Sequence, residues 1–188
     1  MTRLLLRALN APALILLVAF GVAIQTSLFA CWPLSYFQPD VVLIAVIWCA
    51  LRRNFTEGGI LVLIAAEIAE IHSAAPRGVF HITYMLLYLL VRGASKLFVI
   101  PDLASFIIVT LFGSIFSKFS NMTVLHYLAP HTSQWRNTLF LLFPGAAVEG
   151  FAAIWLYRWL EKFDALTFKD KRTEESLENE LQLQDEGF

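Results

Sequence analysis

Charged residues are scarce in this chain, and so are the long polar stretches that connect separate soluble domains. Asp, Glu, Lys and Arg make up 15% of its 188 residues, whereas a typical soluble domain carries about a quarter. Hydrophobic residues make up 58%, and they form blocks that are apolar on all sides rather than stripes along one helix face. A soluble globular domain is therefore excluded. The pattern predicts an all-α, polytopic membrane protein.

The sequence motifs of common enzyme classes are also missing. The chain contains no GxSxG, no GxxxxGK[ST], no GxGxxG and no HExxH, the patterns of nucleophilic-serine, phosphate-binding, dinucleotide-binding and zinc sites. The only two cysteines, Cys31 and Cys49, lie at or inside apolar segments, where a cysteine behaves as a small hydrophobe. We therefore predict a non-enzymatic protein with no cofactor, no disulfide and no metal.

Six apolar blocks approach the roughly 20 residues that a helix needs to cross a bilayer. We predict transmembrane helices at Pro12–Ala30, Leu34–Leu51, Gly58–Ala75, Val79–Leu97, Leu103–Leu125 and Thr138–Leu160. The first block resembles a signal peptide, but its length and the lack of a clear cleavage site favour a retained span. The second and fourth blocks are short, so a four-span arrangement is the alternative. Residues 1–160 form the predicted transmembrane domain.

The lysines and arginines predict the orientation of this bundle. Arg52 and Arg53 stand side by side between the second and third blocks, and because two full charges in hydrocarbon are costly, the chain should leave the bilayer there. With the N-terminus inside, 11 of the 14 Lys and Arg residues fall in cytoplasmic segments, which are expected to be rich in these residues. Only Arg77 and Arg136 fall outside, and Lys118 lies within the fifth span. We predict that both termini are cytoplasmic.

The last segment of the chain is strongly acidic. Nine of the 15 acidic residues lie in Glu161–Phe188. A segment of high charge with few apolar residues is expected to be a solvated, partly helical or disordered tail. A docking segment for a cytoplasmic partner is the alternative. We predict a charged cytoplasmic tail over residues 161–188.

Two glutamates in the third block are the sharpest candidates for a polar site. Glu67 and Glu70 are three residues apart, so a helix places them on one face. A stripe of small residues adjoins them, which would let helices approach closely and would make the third span central. Acids inside a span indicate function by default, as a proton or cation site or in partner recognition. The alternative is that they are protonated, or hydrogen-bonded to the region of His81 and Tyr84.

A third acid, Glu149, lies inside the sixth block in the segment Pro-Gly-Ala-Ala-Val-Glu-Gly. Proline and glycine loosen a helix, and Ala146 with Gly150 forms a pair of small residues four apart. A loosened helix with an acid is a common transporter device, and it is equally an ordinary way of packing a helix. A metal site from Glu70, His72 and His81 is not favoured, because His72 points away from the glutamate face.

Two segments of the chain resemble one known family. Pro39-Asp40 followed by an aliphatic run that ends in Arg52-Arg53 is similar to the second span of the rod shape-determining protein MreD family. The segment from Glu70 through Ser73 to Gly78 resembles that family's turn between its third and fourth spans. The specific likeness covers roughly residues 39–92. Glu70 stands where the family usually has Asp, Ala74 stands where a glycine is usual, and Pro76-Arg77 is unusual.

The resemblance implies a multi-pass protein of the bacterial inner membrane that serves as a scaffold in cell-wall elongation. Its partner would be an MreC-like protein, with MreB, RodA and a transpeptidase penicillin-binding protein in the wider complex, the lipid bilayer around it, and no nucleic acid. It also implies a fold similar to the S components of energy-coupling-factor transporters. The residues expected to serve partner binding or structure are Pro39, Asp40, Arg52, Arg53, Glu67, Glu70, Ser73, Gly78 and Glu149.

That kinship supplies an alternative function, a substrate-binding S component of a vitamin or metal transporter. Such a protein docks its coupling subunit through small residues on its first span, and the first block here has no clear AxxxA pattern. A channel or proton-linked carrier that uses Glu67, Glu70 and Glu149 is a third reading, and nothing in the loops indicates a selectivity filter.

Overall fold

A computed structural model describes residues 2–29, 38–95, 103–128 and 135–167 of the chain. These residues form six α-helices and no strand, as the sequence predicts for an all-α protein. The helices, numbered in chain order, are α1 Thr2–Leu28, α2 Val41–Arg52, α3 Phe55–Ile71, α4 Val79–Ser95, α5 Leu103–Leu128 and α6 Trp135–Leu166. Leu34 to Phe37, the ends of the first and fourth predicted spans and the tail beyond residue 167 lie outside the described residues.

The second predicted span is wrong at its start. Residues 38–40 are not helical, and α2 begins at Val41. The side chain of Asp40 accepts a hydrogen bond from the backbone N–H of Leu43 at 3.0 Å, which makes Asp40 the N-cap residue. Pro39 comes just before the cap and lies outside the helix. The prediction placed it inside the second span, near its start.

The outermost helices are longer than predicted. α1 begins at Thr2 rather than Pro12, and α6 runs from Trp135 to Leu166, six residues into the segment predicted as a tail. Polar residues support both extensions, because Asn10 of α1 donates hydrogen bonds to Asp164 of α6 at 3.2 Å and to Thr167 at 2.6 Å. The helical domain thus passes the predicted boundary at residue 160.

α2, and not α3 as predicted, is the central helix. It packs against each of the five other helices, whereas the main contacts of α3 are with α1, α2 and α4. Every residue from Val42 to Ala50 is buried, including Trp48 and Cys49. The prediction that Cys49 is a buried hydrophobe is confirmed, and Cys31 lies outside the described residues. An apolar run that is buried on all sides needs no one-sided pattern.

α5 packs along α6 at the small residues of the sixth block. A Cβ atom added at Gly150 would lie 2.7 Å from Cδ2 of Leu111, and Ala146 is buried one turn earlier. The small residue at position 150 thus allows α5 to approach α6 closely. This approach brings the middle of α6, with Glu149, against the middle of α5.

Two of the described helices are long and apolar enough to cross a membrane. They are Leu9–Leu28 within α1 and Leu103–Leu128. Val41–Arg52 and Val79–Ser95 are apolar but shorter. The helical structure is thus compatible with a membrane protein.

Candidate functional site

Asp40 joins three helices at one end of the bundle, which we call the Asp40 end. Its carboxylate caps α2 and also accepts a hydrogen bond of 2.7 Å from the hydroxyl of Tyr84 in α4. The next backbone N–H, that of Val41, donates to Oε1 of Gln25 in α1 at 3.2 Å. The Pro39-Asp40 motif is thus a joint between α1, α2 and α4.

Glu70 holds the turn between α3 and α4. Its Oε1 accepts from the backbone N–H of Gly78, and its Oε2 lies 2.6 Å from Nδ1 of His81. Gly78 has a φ of +94°, which favours glycine because a Cβ would be strained there. Ser73 closes the turn internally, since its hydroxyl accepts from the N–H of Ala75 at 3.1 Å. The structure therefore agrees with the alternative in which Glu70 is hydrogen-bonded to the region of His81.

Glu67 contacts the His81 imidazole from the solvent-exposed side. Its Oε2 lies 3.2 Å from Nε2 of His81, and its side chain is 60% exposed, against 8% for Glu70. The two glutamates therefore share a helix face as predicted, at the periphery of the bundle. His72 is exposed and its Nδ1 donates to the carbonyl of Ile68 at 2.8 Å.

Glu149 is buried and forms an ion pair with the partly exposed Lys118. The Nζ of Lys118 in α5 lies 2.7 Å from Oε1 of Glu149 and 3.0 Å from the hydroxyl of Ser114. The Glu149 side chain is 3% exposed, and its Oε2 has no hydrogen-bond partner among the described residues. Lys118 is a residue of this site that was not predicted from the sequence. Its signal was available, because a lone cation inside an apolar block demands a partner.

A cavity of about 650 Å³ opens at the Asp40 end, next to this ion pair. Its wall combines charged and polar side chains with apolar ones, and the lining includes Gln25, Gln38, Asp40, Thr83, Tyr84, Ser117, Lys118, Asn121 and Glu149. Asp40, Val42 and Leu43 belong to the start of α2. The 12 residues of α2 rise only about 18 Å. The N-terminus of α2 therefore does not reach as far toward the Asp40 end as the longer helices around it, and space is left beyond it. Glu67 and Glu70 are not in this lining.

Arg53 lies at the opposite end of the bundle, the Arg53 end, where its side chain is 0% exposed. Its guanidinium forms an ion pair with Asp164 of α6, and the indole N–H of Trp48 donates to the same carboxylate at 3.1 Å. Arg53 lies in the link between α2 and α3 but is buried by protein, because α6 extends far enough to supply its counter-ion. Asp164 was missed, since its place in an acidic segment resembled a solvated tail.

Arg52 also lies at the Arg53 end, at the periphery of the bundle. It donates a hydrogen bond of 3.0 Å to the hydroxyl of Tyr157, and its guanidinium carbon lies 5.0 Å from the centre of the Trp48 ring. A cation over an indole face is attracted to it. The two adjacent arginines therefore both connect α2 to α6, one by an ion pair and one by aromatic contacts.

The site residues thus form two polar joints, the Asp40 end with its cavity and the Arg53 end. Within the described ranges, no group of three or more His, Cys, Asp or Glu side chains is placed to hold a metal ion. Comparisons of the chain with protein-family models, curated proteins and solved structures find no match. The family resemblance therefore depends on the sequence motifs, and the site is interpreted from its geometry.

Proposed function

We propose that the chain is a multi-pass protein of the bacterial inner membrane, with all six helices in the bilayer and both termini in the cytoplasm. The support is its apolar exterior. Phe20 of α1, Phe112 of α5 and Phe151 of α6 are 68%, 71% and 79% exposed, and α3 and α4 also expose large apolar side chains. Water-soluble monomers rarely expose large contiguous apolar surface, whereas hydrocarbon solvates it. In this orientation the Asp40 end faces outward and the Arg53 end faces the cytoplasm.

Within that membrane, the protein acts as a non-enzymatic scaffold of the cell-wall elongation complex and binds an MreC-like partner. One observation carries this proposal. The residues on which the MreD resemblance depends, Asp40, Glu70 and Gly78, hold helices and turns together by hydrogen bonds. Side chains that hold helices and turns together give the protein a fixed surface. A scaffold needs such a surface to bind its partners, which carry out the reactions.

The test is affinity purification of the tagged, full-length protein from its own host in a mild detergent, followed by mass spectrometry. We expect to recover the MreC-like protein together with MreB, RodA or a penicillin-binding protein. Glu70→Gln should reduce this recovery, because an amide places an N–H where a carboxylate oxygen now accepts from Gly78 or His81. Glu67→Gln is the comparison variant, because Glu67 contacts the same imidazole from a largely exposed position and should reduce recovery less. Equal recovery with both variants would show that the turn between α3 and α4 is not part of the surface that binds the partner.

The cavity favours a second candidate function, the substrate-binding S component of a vitamin or metal transporter. Its volume of about 650 Å³ falls within the range of small-molecule sites, roughly 300 to 1,000 Å³. The same purification separates the two functions. Recovery of ATPase and coupling subunits instead of cell-wall proteins would replace the scaffold by the transporter.

A further inference from the structure

We propose that the cavity at the Asp40 end is a binding site for a ligand that carries a primary ammonium group. Two residues of its lining each hold a buried polar atom that lacks a hydrogen-bond partner among the described residues: Oε2 of Glu149 and Oγ1 of Thr83. Both residues line the cavity, and they are 3% and 1% exposed. A buried polar atom without a hydrogen bond is costly. A ligand in the cavity would supply the missing bonds once these side chains turn their free oxygens toward it.

The chemistry of these atoms selects a hydrogen-bond donor. A carboxylate oxygen only accepts hydrogen bonds, whereas a threonine hydroxyl both donates and accepts. Glu149 Oε1 is already paired with Lys118, so Oε2 is the atom left for a ligand N–H or O–H. Thr83, on α4, can accept a further N–H of the ligand or donate to a ligand oxygen.

The charges around the cavity select a cation. Among the described residues, the charged side chains in its lining are two carboxylates, Asp40 and Glu149, and one ammonium, Lys118. Both oxygens of Asp40 accept from neutral donors, the Leu43 amide and the Tyr84 hydroxyl. The Lys118 charge is directed at Glu149 and Ser114. His72 also lines the cavity, with Nδ1 turned to the Ile68 carbonyl. The excess of one carboxylate favours a positively charged donor over a neutral hydroxyl.

The remaining wall has room for more than an ammonium ion. Apolar side chains, among them Val22, Phe29 and Phe80, line part of the cavity. A ligand with an ammonium head and a less polar remainder fits both parts of the wall. Two sources offer this chemistry: a phosphatidylethanolamine headgroup from the surrounding lipid, and a free amine-bearing small molecule. The site stands independently of whether the protein is a scaffold or a transporter component.

The experiment uses the full-length protein in nanodiscs of phosphatidylglycerol, with thermal unfolding followed by tryptophan fluorescence. The soluble probe is glycerophosphoethanolamine, and its control is glycerophosphoglycerol, which lacks the ammonium group. A second set of nanodiscs contains phosphatidylethanolamine, and native mass spectrometry detects lipid that stays bound. A stabilising effect of the soluble amine alone indicates a free ligand. Stabilisation and retention only with phosphatidylethanolamine indicate a lipid headgroup. Either result supports the site.

Two variants assign the binding to the cavity. Glu149→Gln keeps the shape of the side chain but removes its charge, and it should weaken binding of the ammonium probe about tenfold or more, as loss of a charge-assisted hydrogen bond does. Thr83→Val is the second variant, and it keeps the test valid if Glu149→Gln fails to fold. It should weaken binding less than Glu149→Gln does. Glu67→Gln, outside the cavity lining, should bind like the wild type. The proposal is overturned if ammonium and glycerol probes bind alike, or if both cavity variants bind as the wild type does.

Discussion

Arg53 shows how a single charged residue can be enclosed by protein at a helix end. Its guanidinium and the carboxylate of Asp164 are both buried, and Trp48 and Asn10 donate further hydrogen bonds to that carboxylate. A buried ion pair contributes little net stability when it is intact, because desolvation offsets the attraction. Removing one partner is different, since the other charge stays buried without compensation. Arg53 and Asp164 should therefore matter most when only one of them is changed.

The first prediction concerns Asp164→Ala. We expect a loss of about 3 to 5 kcal/mol in the free energy of unfolding, the usual result of breaking a buried pair. The measurement is reversible unfolding of the purified protein in mixed micelles, followed by tryptophan fluorescence.

Two further variants act as controls for this pair. Glu161→Ala changes an exposed acid one turn away on α6 and should leave the free energy of unfolding unchanged within about 0.5 kcal/mol. Replacing both partners, Arg53→Met with Asp164→Leu, should cost less than Asp164→Ala alone. If Asp164→Ala unfolds like the wild type, the ion pair does not hold α2 against α6.

Among the elements, the turn between α3 and α4 depends on one backbone conformation. Gly78 has a φ of +94° and donates its N–H to Glu70. Gly93 lies inside α4, where an added Cβ would meet nothing within 4 Å. The same substitution should therefore have opposite effects at these two positions.

Our second prediction compares Gly78→Ala with Gly93→Ala. The change at Gly78 should lower the free energy of unfolding by about 1 to 2 kcal/mol, because an L-residue is strained at positive φ. The change at Gly93 should raise it by about 0.5 to 1 kcal/mol, since alanine loses less backbone entropy in a helix. Unfolding in mixed micelles measures both. Equal effects of the two variants would contradict the left-handed conformation at Gly78.

The elements also show what the sequence could not predict. Apolar blocks separated by charged residues or turns predict all six helices in order, because burial and hydrogen bonding inside each block are local. The start of α2 was misplaced, since the apolar residues before Pro39 extend the block and hide the cap at Asp40. Asp164 and Arg53 are 111 positions apart, and no local pattern pairs residues at that distance. The cavity follows from the short α2, which only the three-dimensional packing reveals.

At the scale of the whole molecule, the shortness of α2 bears on the proposed six-span crossing of the membrane. Its 12 residues would span about 18 Å, less than the roughly 30 Å hydrocarbon core. The helix is enclosed by the other five, so its ends meet protein and the cavity instead of lipid. A short helix that is enclosed in this way can therefore be one of the six helices that cross the membrane. The four-span alternative instead leaves α2 and α4 out of the bilayer.

Our last prediction separates these two topologies by cysteine labelling. In a background of Cys31→Ala and Cys49→Ala, single cysteines replace the exposed residues Asn54, before α3, and Arg77, before α4. With six spans and a cytoplasmic N-terminus, a membrane-impermeant maleimide should label Arg77→Cys in intact spheroplasts, and Asn54→Cys only after permeabilisation. With α2 and α4 outside the bilayer, the pattern would reverse, because α3 would then run in the opposite direction. The reversed pattern would also contradict the bundle itself, because α1 and α3 both run from the Arg53 end to the Asp40 end and must cross the bilayer in the same direction.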